Sequence, residues 1–167
     1  MGRPFFLSGG GMAPRQPAIV GEKARMPPSA VDSITVVTDM FEHRNARPHF
    51  INPCCFGEDF AEWLKQELLH FEDPDFNFSE MTQEDYGWGF WASHGGDRFW
   101  LAVSYVGDGP QEAPAQWVIS VSYDPGLNLV KRVLNKPDRP AFGLLRDRVR
   151  QILTSNDAIK TNDDSNL

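Results

Sequence analysis

An α+β fold in two layers, with an antiparallel sheet of about four strands and two helices packed on one face, is what this chain predicts, and three observations predict it. Residues 116–123 alternate strictly, with Trp117, Ile119, Val121 and Tyr123 on one side and Ser120 and Ser122 on the other. Two other stretches, 58–71 and 140–153, repeat their apolar residues at three- and four-residue spacing instead. Between the helix pattern and the strand pattern, Ser93-His94-Gly95-Gly96-Asp97 separates two aromatic-rich runs as a hairpin turn. Strands with one apolar and one mixed face need cover on one side only, and the two helical stripes supply it.

In chain order, residues 1–30 read as a disordered leader. They hold Gly9 to Gly11 and prolines at 4, 14, 17, 27 and 28 without periodicity. Met12 and Met26 offer alternative starts within it. A single domain follows over 31–154, and a polar tail over 155–167 is expected to be flexible. Residues 33–41 are β-prone through Ile34, Val36 and Val37, and His49-Phe50-Ile51 extends or pairs with them before Asn52-Pro53 breaks the run. The helix over 58–71 carries Phe60, Trp63, Leu64, Leu68 and Phe71 on one stripe, with Glu58, Asp59 and Glu62 in its first turns, where the dipole favours acids. Strands follow at 87–92, 98–106 and 116–123. Asp124-Pro125-Gly126 turns the chain, and 127–134 is open between a strand and a helical turn. The second helix has Pro140 at its start and Leu145, Val149, Ile152 and Leu153 on one face. The sheet's open face then carries Ser104, Ser120 and Ser122, with a tryptophan or two.

A chain of 167 residues, 41% hydrophobic and 12% aromatic, has room for one real core. It has no apolar run long enough to span a bilayer, and Phe5-Phe6-Leu7 is too short for a signal peptide. Two adjacent cysteines build no disulfide framework, so the cytoplasm is the expected location. The net charge of −7 is unevenly laid out. Residues 1–30 are net +3, residues 58–85 net −9 and residues 131–150 net +5. The plain reading is two solvated faces attracting one another across the fold. The sharper one is an acidic patch that steers a basic partner. An acidic chain without a recognition motif does not suit nucleic acid.

The densest stretch is Glu84-Asp85-Tyr86-Gly87-Trp88-Gly89-Phe90-Trp91, and Trp88, Trp91 and Trp100 fall within thirteen residues. Carboxylates at a strand mouth beside flat aromatic surface suit recognition. Glu84, Asp85, Trp88, Trp91 and Trp100 are therefore the candidate binding residues, the acids being expected to join those of 72–75 in one field. An enzyme using Glu84 or Asp85 as acid, base or metal ligand is the alternative. Neighbouring strand residues point to opposite faces, however, so the two do not converge on one atom. Cys54-Cys55, just before the helix, lies where a dipole lowers thiol pKa values, but the pair has neither CxxC spacing nor a zinc pattern with the histidines. His49 is the one histidine placed to meet them. GxGxxG, GxxxxGK[ST] and GxSxG are all missing from the sequence. No catalytic residue, metal or cofactor is assigned.

The run Asn52-Pro53-Cys54-Cys55-Phe56-Gly57-Glu58-Asp59-Phe60-Ala61-Glu62-Trp63-Leu64, followed by Glu84-Asp85-Tyr86-Gly87-Trp88, resembles a group of small uncharacterised bacterial proteins. They share an INP-x-x-FG-acidic helix entry and an ED-x-GW strand. The resemblance implies a bacterial origin and a compact α+β domain over most of 49–153, and carries no activity. The functional reading is a non-enzymatic cytoplasmic domain, immunity-like or inhibitory, that binds a basic protein and neither nucleic acid nor membrane.

Overall fold

The computed structural model describes residues 31–71, 73–107, 114–124 and 139–162. The expected leader, the ambiguous 127–134 segment and the last five residues lie outside these. The elements run β1 (Val31–Thr38), α1 (Glu58–Leu69), β2 (Asn77–Phe78), β3 (Thr82–Glu84), β4 (Gly87–His94), β5 (Asp97–Tyr105), β6 (Ala115–Asp124), α2 (Arg139–Ser155) and β7 (Lys160–Asn162). Among the described residues all strands join one antiparallel sheet in the order β2-β4-β5-β6-β1-β7, with β3 also pairing β4.

The class and the two helices are as the patterns predict, but the sheet has seven strands rather than about four. The additional ones, β2, β3 and β7, are two or three residues long. So short a segment cannot display a period of two, and it exists only because a longer neighbour offers it hydrogen bonds. Residues 156–162, within the segment assigned to the tail, lie among the described residues. Ile159 is buried and 160–162 pair with β1 at Val37, Val36 and Thr35, so the chain is held in the sheet as far as Asn162. His49-Phe50-Ile51 forms no strand. It lies in the loop before α1, where Phe50 packs on Trp88 at 5.2 Å between ring centres.

Register fixes the two faces. Val36, Trp117, Val103 and Trp88 share one side, as do Ile34, Ile119, Leu101 and Phe90. Both helices cover this side: Phe60 of α1 meets the Trp117 ring edge-on at 5.6 Å, and Phe142 of α2 lies 6.0 Å from Phe99. Leu64, Leu145, Val149 and Leu153 are fully buried between the layers. Trp63 instead stays half-buried at the margin, tilted against Phe41 at 5.5 Å. The other side carries Ser104, Ser120 and Ser122 with Trp91 and Trp100, as alternation requires. The turn between β4 and β5 is Gly95-Gly96 with φ of 54° and 82°, the double left-handed conformation that matches strand twist in a two-residue hairpin.

Candidate functional site

Residues 51–55, in the loop before α1, and residues 83–88 meet at one end of the sheet. Gln83 of β3 receives the backbone N–H of Ile51 on its side-chain oxygen at 2.7 Å and donates its amide to the Asn52 carbonyl at 3.0 Å. The Trp88 indole N–H donates to the Cys55 carbonyl at 2.8 Å, and the Cys55 thiol donates to the Asp85 carbonyl at 3.0 Å. A loop just before a helix has backbone groups with no ladder to join, and these bonds satisfy them. Gly87 is essential to the approach. Its φ is 151°, and a Cβ there would stand 2.1 Å from the Val103 carbonyl oxygen.

This packing settles the cysteines. Cys55 is buried, and burial pushes its thiol up, reinforced by the neighbouring Cys54, opposite to the dipole-lowered thiol the position suggests. The exposed Cys54 thiol donates to the Asn52 side chain at 2.9 Å. His49 places Nε2 2.8 Å from the Glu58 carboxylate, which also receives Arg47 at 2.7 Å. Cys54, Cys55 and His49 therefore assemble no nucleophile. Among the described residues no group of three or more His, Cys, Asp and Glu is placed to hold a metal ion.

The candidate tryptophans separate. Trp88, expected at the binding surface, points to the helix side and is 6% exposed, because β4 alternates and Trp88 pairs with Val103. Trp91 and Trp100 stand directly opposite one another on the second face, with ring centres 4.8 Å apart. Trp100 is the floor at 9% exposure, lying so close over Gly89 that a Cβ there would meet its ring at 2.5 Å. Its indole N–H donates to the Tyr86 hydroxyl at 2.9 Å, while the Arg98 guanidinium stacks on Trp91 at 4.1 Å from the ring centre. Tyr86, 53% exposed, and Arg98 are members that composition did not single out. The signal for Arg98 was its place two residues before Trp100 on the same strand face.

Glu84 and Asp85 are both exposed, on β3 and in the turn leading to Tyr86, and Glu84 lies on the second face opposite Gly87. They do not join Asp73 and Asp75. Those precede β2, which pairs with the far end of β4 at Ser93, six residues from Gly87, or roughly 20 Å along the strand. That exceeds twice the screening length of about 8 Å at physiological ionic strength. Asp73 is occupied besides. It accepts the Asp75 backbone N–H at 3.0 Å and the Arg148 guanidinium at 2.7 Å, and these bonds hold its carboxyl below the usual range.

No protein-family model, no curated protein and no solved structure matches this chain. Among the described residues no helix is long and apolar enough to cross a membrane.

Proposed function

We propose that this chain is a non-enzymatic protein-binding domain, immunity-like or inhibitory, whose recognition surface is the second sheet face at its Glu84–Tyr86 end. Its partner presents basic residues. The observation that carries the reading is the pairing of two features at one place. An aromatic layer of Tyr86, Trp91 and Trp100 is held by its own contacts, and two exposed carboxylates stand at its border.

Aromatic side chains with fixed rotamers lose little entropy on docking and bury large area, which is why such residues anchor interfaces. Carboxylates at the rim chiefly raise the association rate and set which partners approach. Recognition through the face suits this sheet better than strand addition. Its edges, β2 with β3 on one side and β7 on the other, are only two or three residues long and offer little ladder to a partner. The kinship with small bacterial proteins and a cytoplasmic site of action belong to the same proposal. In that kinship, the shared helix entry and ED-x-GW strand build the scaffold under the surface.

A photo-crosslinking amino acid placed at Trp91 in the full chain, expressed in bacterial cells, tests this. A discrete protein adduct is expected from Trp91 and not from the exposed helix position Glu62. Its yield should fall when Glu84 and Asp85 are both changed to Asn. Equal adducts from both positions, or none from Trp91, would overturn the reading.

A further inference from the structure

We infer that the recognition surface continues round the end of the sheet to Ile51, and that Ile51 is its apolar anchor for a basic, amphipathic segment of the partner protein. This rests on the protein-binding reading above and adds to it a residue and the chemistry of the segment that docks there.

Among the described residues Ile51 is the most exposed large apolar side chain, at 88%. Gln83 ties it to the end of the sheet where β4 begins. Three further exposed apolar residues stand at that same end: Tyr86 just before β4, Val106 just after β5 and Met40 just after β1. Exposed apolar residues scattered singly are ordinary on a folded chain, whereas their collection in one region marks an interaction site.

The Ile51 backbone is held on both sides. Its N–H donates to the Gln83 side-chain oxygen at 2.7 Å, and the next carbonyl, that of Asn52, accepts the Gln83 amide at 3.0 Å. These bonds order the loop and still leave the Ile51 side chain in water, where it contributes nothing to the core. A side chain presented on an ordered backbone meets a partner at little cost in entropy.

The charge beside it is of one sign. Other acids near this end are answered within the fold: Asp39 by Arg44 at 3.0 Å, and Glu58 by Arg47 at 2.7 Å and His49 at 2.8 Å. Glu84 and Asp85 follow Gln83 directly in the chain, and no described residue forms an ion pair with either. Two unanswered carboxylates beside a fixed, exposed isoleucine fit a segment that carries lysine or arginine on either side of an apolar residue. An acidic segment is repelled there, and a wholly polar one leaves Ile51 in water.

The test titrates the full-length protein, labelled with ¹³C at the isoleucine δ1 methyls and with ¹⁵N, using the peptide acetyl-Lys-Leu-Lys-Leu-Lys-amide. Two controls replace its lysines by glutamate or its leucines by serine. The Ile51 methyl, assigned from Ile51→Ser, should shift saturably with the basic amphipathic peptide, not with the acidic one, and only weakly with the serine one. Ile51→Ser should keep its melting temperature and bind the peptide roughly tenfold more weakly, read at the amides of 84–86. The inference is overturned by no saturable shift at Ile51, by equal binding of either control, by unchanged affinity in the variant, or by a marked fall in its melting temperature. Movement of the Ile51 methyl with protein concentration alone would assign the surface to a second copy and overturn it too. The recognition face itself is decided separately, by the adduct at Trp91.

Discussion

The two ends of strand β4 carry the same kind of residue and use it in opposite ways. At the His94 end, Asp73 is tied to the Asp75 backbone and to Arg148, which itself stacks over Phe71 and Phe76 at 5.1 and 5.6 Å. At the Gly87 end, Glu84 and Asp85 stand exposed beside Tyr86 and an aromatic floor. The first acid is a structural tie between the helix layer and the sheet edge. The second pair spends its charge on the solvent, where a partner would meet it. The opposite charges of the acidic and basic segments thus meet across the fold at Arg148 and Asp73, while Glu62, Asp75, Glu80, Glu84 and Asp85 are exposed.

The largest effect that sharpens this contrast lies beneath the exposed acids rather than in them. Trp88 is buried and its indole N–H holds the Cys55 carbonyl, so Trp88→Ala should cost about 3–5 kcal/mol in denaturant titration. A loss under 1 kcal/mol would mean that the loop before α1 is not held by this contact. Gly87→Ala should be similarly severe, since the Val103 carbonyl leaves no space for a Cβ and backbone cannot swing aside.

A smaller, pH-dependent effect belongs to Asp73. Its folded pKa lies below the ordinary 3.8, so its contribution to stability is fully present above that value and fades as pH falls through the folded pKa. Asp73→Asn should lower the melting temperature at pH 7 and flatten the acid limb of the stability profile below about pH 4. Identical acid limbs for variant and wild type would remove the tie.

Most of the fold was legible because long strands and helices repeat their pattern several times. The alternation of 116–123 placed Trp117, Ile119, Val121 and Tyr123 on the helix side, and Ser120 and Ser122 on the other, where they lie beside Ser104 of the neighbouring strand. The short edge strands were not legible, since Thr82–Glu84 takes its conformation from Gly87–Gly89 across the ladder rather than from its own sequence. The pairing of 160–162 with β1 was hidden in the same way. Ile159 is one apolar residue among mostly polar neighbours, and it joins the core where 160–162 pair with β1.

The candidate site was legible in composition but not in sidedness. Glu84, Asp85, Trp91 and Trp100 reach one region, whereas the parity of Trp88 puts it in the core. Asp73 and Asp75 are near in sequence yet distant in space, because β2 and β3 pair with opposite ends of the same strand. Sequence separation carries no information about which end of a partner strand a short edge segment chooses.

The contrast between the two ends of β4 rests most directly on a thermal melt of Glu84→Asn/Asp85→Asn. Exposed acids whose side chains are not held by the fold contribute within about 0.5 kcal/mol, so the melting temperature should move by no more than about 2 °C. A fall of more than about 5 °C would show that these carboxylates stabilise the fold, and would remove them as the border of a recognition surface.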